Sequence, residues 1–310
     1  MPRRLQGVLP IVHTPFADDD AIDEAALARE VDFIFAVGAD GLGTGMVSEL
    51  LRLTTDERRR LTELLVGFAA DRGPVFAAVT SESTRQAVEL ARHAQQAGCA
   101  AIMAAPPLST RLGDDALCEH FQAVAEAVEI PLIVQDASGY VGQAISLSVY
   151  QRLLQRYGDR RILFKPEASP VGPNLSLLRD ATDGAACIFE GSGGIHLVDS
   201  FRRGIAGTMP GVDLLDGVVR LWQALRDDEQ DEIYRLSFPI GALVSIQLQA
   251  GLDGFLAVEK HLLHKRGLFP NVRRRKPYGW ELDRETIAEV DRLFAILQSV
   301  LKPEATAVRL

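Results

Sequence analysis

The sequence predicts an α/β fold, a closed (β/α)8 TIM barrel with a C-terminal helical extension. Two observations lead to this prediction: eight short apolar runs lie along the first two thirds of the chain, and segments with helical spacing separate them. Strands that alternate with helices of this size form parallel β-α units, and eight such units close into a barrel. The alternative is an open doubly wound sheet, which is disfavoured because no G-x-G-x-x-G motif follows the first run.

The predicted elements follow one another in regular order. We expect strands at the eight apolar runs, which are residues 8–12, 41–45, 75–79, 100–104, 132–135, 162–165, 187–190 and 205–209. We expect helices between and after them, at about residues 23–37, 55–70, 84–97, 114–128, 146–156, 174–181, 195–203 and 212–226. Two helices begin with a capping box, "TTDE" at 54–57 and "STRQ" at 83–86, in which the first and fourth side chains cap the helix start reciprocally.

The strand pattern stops after about residue 228. The remainder reads as helices separated by Gly and Pro breaks such as "RGLFPN". We therefore expect a catalytic barrel over residues 1–228 and a helical extension packed on it over residues 229–310. A chain of 310 residues, 47% of them hydrophobic, is long enough to bury a core of this size.

Composition and charge disfavour several classes of protein. The net charge is −9 with both signs spread along the chain, so no basic surface for nucleic acid is expected. The one basic run, 271–277, is interpreted as a solvated or subunit-facing loop. No apolar run reaches about 18 residues, so we expect no membrane span. An odd cysteine count without a C-x-x-C pair, and no apolar N-terminal segment, indicate a reducing cytoplasm, with Cys99, Cys118 and Cys187 as core residues.

A lysine ends the sixth apolar run in "RRILFKPEAS", residues 160–169. Residues at the C-terminal ends of barrel strands face the active site, where a buried ammonium is costly unless it is paired or loses its proton. A free amine at Lys165 would attack the ketone of a 2-keto acid and form an iminium, and Glu167 could then move a proton from the neighbouring carbon. The alternatives are a solvated Lys165 and a Glu167 that only holds it in place.

Polar and small residues also occupy the other strand ends, and most have a structural alternative. Glu49 could instead fix its loop by accepting backbone N–H groups, and Gln135 and Asp136 could serve internal hydrogen bonding. "EGSGG" at 190–194 resembles a phosphate-binding loop, but its glutamate favours close backbone approach to a carboxylate or iminium. His13 is interpreted as structural. His261 and His264 have no acidic partner in a metal-binding motif, so no metal site is expected.

The chain resembles the family of dihydrodipicolinate synthase and N-acetylneuraminate lyase from about residue 7 to residue 277. The motifs that carry the resemblance are "TPF" at 14–16, Glu49 followed by "LTTDER", Lys165, Gly191 and "GTMPG" at 207–211. The resemblance implies a (β/α)8 barrel with a C-terminal helical bundle and a Schiff base on Lys165. It also implies a homo-oligomer, a tetramer or a dimer, that needs neither metal nor cofactor.

The chain departs from the synthase and aldolase branches of that family at three strand ends. Residues 45–49 read Gly-Met-Val-Ser-Glu where those branches have Gly-Thr-Thr-Gly-Glu, which leaves Ser48 as the one hydroxyl. The strand-5 tyrosine that relays protons is replaced at Val134, and the supporting strand-4 tyrosines are replaced at 107–108. "SELLRLTTDER", "PLIVQDAS" and "LFKPEAS" are instead similar to the 2-keto-3-deoxy sugar-acid dehydratases, particularly 2-keto-3-deoxyarabonate dehydratase.

That branch implies an iminium at C2 of the substrate, removal of a C3 proton by Glu167 and loss of the 4-hydroxyl as water. Two alternatives stay open, a pyruvate-dependent aldolase or synthase and a catalytically silent barrel that binds a keto acid. The predicted catalytic residues are Lys165, Glu167 and Glu49, and the predicted substrate-binding residues are Ser48, Gln135, Asp136, Tyr140, Gly191, Ser192 and Met209.

Overall fold

The structure, a computed structural model, describes residues 5–302. The outermost residues of the two predicted domains, 1–4 and 303–310, lie outside the described residues. Eight strands are present: β1 Gly7–Val8, β2 Leu42–Gly43, β3 Val75–Ala78, β4 Ala101–Ala104, β5 Leu132–Asp136, β6 Ile162–Pro166, β7 Phe189–Glu190 and β8 Gly207–Thr208. Each falls within or overlaps one of the eight predicted runs.

A helix follows each strand, and three more helices complete the described chain. The barrel helices are α1 Glu24–Ala36, α2 Thr55–Ala69, α3 Thr84–Ala97, α4 Asp114–Glu126, α5 Leu147–Tyr157, α6 Val171–Ala181, α7 Leu197–Arg202 and α8 Leu215–Arg226. The C-terminal helices are α9 Gln230–Gln247, α10 Gly251–Lys265 and α11 Arg284–Leu301. Short 3-10 turns at Met46–Ser48 and Leu248–Ala250 precede α2 and α10.

The strands pair in parallel all the way round. One ladder runs β2-β3-β4-β5-β6 and a second runs β1-β8-β7. Single parallel bridges, Ile11 to Gly43 and Phe164 to Ile188, join the two ladders at both seams. The sheet therefore closes, and the expectation of a TIM barrel with C-terminal helices is confirmed.

Alternate residues of each strand point into the barrel and towards the helices. Ile133 and Leu163 belong to the hydrophobic cluster inside the barrel, whereas Val134 and Phe164 belong to the cluster between the sheet and the helices. Because side chains alternate with a period of two, the residue two positions after Leu163 also faces inward. The strand geometry thus directs Lys165 into the mouth of the barrel.

The two predicted capping boxes have different outcomes. Thr54 caps α2 by accepting from the Glu57 N–H, and the Glu57 carboxylate accepts from the Thr54 N–H, as predicted. The capping box at 83–86 is wrong: the Ser83 side chain makes no cap hydrogen bond. The Gln86 amide donates instead to Thr55 Oγ1 at 3.1 Å and ties α3 to α2.

The apolar stretch Gln230–Lys265 in the C-terminal extension departs from the sequence expectation. It is long and apolar enough to cross a membrane by length and composition alone, because only one turn interrupts α9 and α10. Within its most apolar window, 44% of the residues are buried inside the protein. Core helices of globular proteins pass the same test, so this stretch is a weak indication of a membrane span.

Candidate active site

Lys165 and Glu167 form an ion pair at the mouth of the barrel. The Lys165 Nζ lies 3.3 Å from the Glu167 Oε1, and the two side chains are only 4% and 8% exposed. Lys165 is the fourth residue of β6, and the chain leaves the strand at Pro166. Glu167 therefore lies beside the lysine just beyond the strand end, and both groups are largely shielded from water.

Two neutral donors hold the other oxygen of Glu167. Gln135 Nε2 donates to Glu167 Oε2 at 2.7 Å, and the Tyr140 hydroxyl donates to the same atom at 3.3 Å. Burial raises the pKa of Glu167, while the positive charge of Lys165 and the Gln135 hydrogen bond oppose the rise. A raised pKa makes the ionised carboxylate a stronger base, which favours its use in acid-base catalysis.

Gly191 gives the pair its space. A Cβ at this position would overlap both the Lys165 Cε and the Glu167 Oε1. Glycine is therefore needed here for close backbone approach to the lysine.

A cavity of about 40 Å³ adjoins the Lys165 amine. Its predicted residues are Tyr140, Lys165, Glu167, Gly191 and Met209. The other lining residues, which the sequence analysis did not assign to the site, are Ile11, Met46, Val47, Gly193, Pro210, Gly211, Leu252, Phe255 and Glu259. The cavity thus combines a small polar centre with apolar walls, as is usual for sites that bind small molecules.

Four predicted substrate-binding residues do not line this cavity: Gln135, which holds Glu167 as described above, and Ser48, Asp136 and Ser192, which make internal hydrogen bonds. The buried Ser48 hydroxyl accepts from the Gly45 N–H and donates to the Val12 carbonyl. Asp136 accepts from the Ser138 and Ile145 N–H groups at 2.9 and 2.8 Å. Ser192 Oγ accepts from the N–H of His196, the residue before α7, at 3.0 Å. These contacts fix the loops around the site.

At the end of β5 the residue that faces the barrel interior is Gln135, which pairs with Lys165 across the strands. Val134 packs in the layer between sheet and helices. The prediction that Val134 occupies the position of the relay tyrosine is therefore wrong, because the two-residue period places the Val134 side chain outside the barrel.

Glu49 lies away from the cavity, in a buried ion pair with Lys260 of α10. Its second oxygen accepts from the Arg275 N–H at 2.7 Å, and its backbone is left-handed with φ 60°. Lys260 also donates to the Thr14 and Arg273 carbonyls at 2.8 and 2.6 Å. The structure thus joins Glu49 to the C-terminal extension, in line with the anchoring alternative.

His13 forms the centre of a second buried cluster. Its Nδ1 contacts Glu30 Oε1 at 3.1 Å, and its Nε2 contacts Glu259 Oε2 at 2.8 Å. Burial alone would lower the pKa of His13, but the Glu259 and Glu30 carboxylates raise it to about 10. The ring is therefore an imidazolium that holds Glu259 in place.

Sequence reasoning missed Glu259 and Lys260, which come from the extension and not from the barrel. A signal was available in "FLAVEKHLL", residues 255–263, where a charged pair interrupts an otherwise apolar helix. Charged residues are almost never fully buried unless they are paired, so such an interruption predicts buried partners elsewhere in the chain.

The two histidines of α10 and the three cysteines make contacts within the fold. His261 contacts Asp291 at 2.8 Å and His264 contacts the Phe269 carbonyl at 2.9 Å. Cys99, Cys118 and Cys187 are buried and form no disulfide. Across residues 5–302, no group of three or more His, Cys, Asp or Glu residues is arranged to hold a metal ion.

Comparison with known proteins gives consistent matches. A model of the dihydrodipicolinate synthetase family matches residues 4–159. L-2-keto-3-deoxyarabonate dehydratase of Azospirillum brasilense is 30% identical over 93% of each chain. 4-Hydroxy-tetrahydrodipicolinate synthase of Agrobacterium fabrum is 40% identical over 42% of this chain and 44% of its own. The crystal structure of dihydrodipicolinate synthase from Rhodopseudomonas palustris, 28% identical, superposes with a TM-score of 0.83 over 94% of this chain and 98% of its own.

Proposed function

The chain belongs to the dihydrodipicolinate synthetase family of lyases, and from this premise we propose that it removes water from a 2-keto-3-deoxy sugar acid through a Schiff base on Lys165. The observation that carries the proposal is the Lys165–Glu167 pair, 3.3 Å apart in the wall of a small cavity at the barrel mouth. A nucleophilic amine and a carboxyl with a raised pKa are the two groups that this chemistry needs.

The proposed reaction begins when Lys165 passes its proton to Glu167 and the free amine attacks C2 of the keto acid, after which Glu167 returns the proton to the C2 hydroxyl. Loss of water gives an iminium, which withdraws electrons and acidifies the C3 protons. Glu167 takes one C3 proton, and the resulting enamine expels the C4 hydroxyl, which leaves as water when Glu167 returns that proton to it. Hydrolysis of the unsaturated iminium then releases the dehydrated keto acid and restores the amine.

The other predicted residues take supporting parts in this proposal. Gln135 and Tyr140 position the Glu167 carboxylate, and Gly191 leaves room for the iminium. Met209 forms part of the cavity wall. Ser48, Asp136, Ser192 and Glu49 hold the surrounding loops through the hydrogen bonds described above.

Dehydration is preferred over aldol chemistry because of the residue at the end of β5. The interior position belongs to Gln135, whose amide positions a proton acceptor but does not itself carry a proton to a leaving group. The dehydratase of Azospirillum brasilense, similar over nearly the whole chain, supports the same preference. Aldol cleavage or condensation through pyruvate remains the second candidate, supported by the partial matches to 4-hydroxy-tetrahydrodipicolinate synthases.

Borohydride trapping tests the proposal. The protein is reduced in the presence of pyruvate or a 2-keto-3-deoxy pentonate, digested and mapped by mass spectrometry, with Lys165→Ala as the control. We expect a reduced adduct on Lys165 and a dehydrated product from the pentonate. Release of pyruvate would support the aldolase instead, and a folded protein that forms no adduct with either compound would leave only the silent binder.

We also propose a cytoplasmic homo-oligomer, a dimer or a tetramer. The resemblance to the family implies an oligomer, and α9 leaves Phe238 71% exposed beside the 40% exposed Tyr234. Large apolar groups exposed together on one helix favour a protein contact. Light scattering coupled to gel filtration measures the state, and a monomeric mass would contradict this expectation.

A further inference from the structure

Glu259 is an ionisable group in the cavity that the proposed reaction does not use. It lies on α10 with Leu252 and Phe255, at positions three and seven residues apart that share one helix face. All three side chains line the same cavity as Lys165. The C-terminal extension therefore covers the mouth of the barrel and brings one carboxylate to it.

One oxygen of this carboxylate is held and the other is free. Glu259 Oε2 contacts the His13 ring at 2.8 Å, and His13 is itself held by Glu30 on its other nitrogen. Within residues 5–302, no group donates a hydrogen bond to Glu259 Oε1. That atom lies beside Gly211, where a Cβ would be 2.6 Å from it.

A fixed carboxylate oxygen without a donor is complementary to a hydroxyl group. The Glu259 side chain is 3% exposed and lines the cavity, so a ligand in the cavity can reach it. The carboxyl group of Asp213 lies beside that of Glu259, since Asp213 Oδ1 would be 2.8 Å from the same Cβ at Gly211, and two neighbouring carboxyl groups disfavour the acid group of a keto acid here. The uncharged, hydroxylated end of a substrate fits here instead.

We propose that Glu259 is a specificity-determining residue that accepts a hydrogen bond from a hydroxyl group on the distal carbons of the keto acid. The inference rests on the proposed function, since it places the keto group at Lys165 and the hydroxylated end towards α10. It extends that function by distinguishing sugar-derived keto acids from short, unsubstituted ones such as pyruvate.

The test compares two ligands in three proteins. The concentration of pyruvate and of a 2-keto-3-deoxy pentonate that gives half-maximal trapping on Lys165 is measured for the wild type, Glu259→Gln and Glu30→Gln. Glu259→Gln keeps an oxygen for His13 but turns the free acceptor into an amide donor. Glu30→Gln disturbs the same imidazolium from the side that does not line the cavity, and is the matched control.

We expect Glu259→Gln to raise the half-saturating concentration of the pentonate about tenfold, the effect of one lost charge-assisted hydrogen bond, and to leave that of pyruvate unchanged. Glu30→Gln should leave the ratio of the two half-saturating concentrations, pentonate to pyruvate, unchanged. Equal shifts for both ligands, or no shift for either, would overturn the inference. If Glu259→Gln does not fold, Gly211→Ala tests the same point, because its methyl group would press on the free oxygen and should weaken the pentonate alone.

The trapping readout separates this inference from the proposed function. If the wild type traps the pentonate but releases no dehydrated product, the proposed reaction fails, and the selectivity of Glu259→Gln still decides the role of Glu259. If the wild type dehydrates the pentonate and Glu259→Gln weakens both ligands alike, only the inference fails. If neither ligand is trapped by the wild type, both fail together.

Discussion

Gln135 and Lys165 are directly paired across β5 and β6, and both side chains contact the carboxylate of Glu167. The amide donates to one oxygen at 2.7 Å, while the ammonium lies 3.3 Å from the other. The register of two neighbouring strands thus determines the position of the group that is proposed to move the proton.

Replacement of Gln135 by leucine should shift the pH dependence of the reaction. The Gln135 hydrogen bond lowers the pKa of Glu167 against the larger effect of burial, so its loss should raise that pKa further. Since the ionised carboxylate is the base, activity is lost as pH falls through this pKa, and the acidic limb of kcat/KM should move to higher pH. An unchanged profile in a folded variant would show that Glu167 does not control this limb.

Replacement of Glu167 by glutamine should separate adduct formation from turnover. The amide cannot take the C3 proton, and we expect kcat to fall by about 10² to 10⁴, the usual contribution of a general base. Lys165 should still be trapped by borohydride with pyruvate, since the amine is retained. If Glu167→Gln forms no adduct although it is folded, the carboxylate is needed to position or deprotonate Lys165 itself.

The sequence predicts the barrel well because each of its units is local. The apolar runs at 132–135 and 162–165 are strands in the structure, and their two-residue period alone decides that Gln135 and Lys165 face inward. The neighbourhood of Lys165, Glu167 and Gly191 follows from the rule that strand ends meet at one face of a barrel.

Contacts between distant parts of the chain could not be predicted in the same way. His13 and Glu259 are 246 positions apart, and nothing local to either residue indicates the other. The docking of α10 over the barrel mouth depends on how a whole helix packs, so Glu259 and Lys260 were missed. The same helix changes the interpretation of Glu49, whose strand-end position predicts a site residue although its carboxylate pairs with Lys260.

Replacement of Gly191 by alanine should block the site without unfolding the protein. The new methyl group would overlap Lys165 Cε and Glu167 Oε1, so the amine should no longer reach a keto acid and trapping should be lost. Gly67→Ala is the matched control, since a Cβ there meets nothing within 4 Å and the position lies inside α2. This control should gain about 0.5–1 kcal/mol of stability, because alanine favours a helix over glycine. Normal trapping by Gly191→Ala would contradict the assigned geometry.

Replacement of Lys260 by methionine tests whether Glu49 anchors the fold or takes part in catalysis. The variant leaves the Glu49 carboxylate buried without its partner, which should lower the free energy of unfolding by about 3–5 kcal/mol. Glu49→Gln combined with Lys260→Met should cost less than the sum of the single changes, because the buried charge is then removed as well. Urea unfolding measures these values, and borohydride trapping of the folded fraction should be retained. A stable Glu49→Gln with abolished trapping would favour the catalytic role instead.

The cluster around His13 should make the protein less stable at alkaline pH. The folded-state pKa of His13, raised to about 10 by Glu259 and Glu30, lies above its value of 6.5 in the unfolded chain. The stabilisation by the imidazolium is therefore complete below pH 6.5 and is lost as pH rises from 6.5 through about 10. Burial also raises the pKa of Asp213, from 3.8 to about 7. The folded state therefore loses further stability as pH rises from 3.8 to about 7, because the Asp213 carboxyl ionises more readily in the unfolded chain. Urea unfolding of the wild type and of His13→Gln across this range measures the effect. We expect the stability of the wild type to fall more steeply with pH than that of the variant, whereas parallel curves would mean that His13 is neutral in the folded protein.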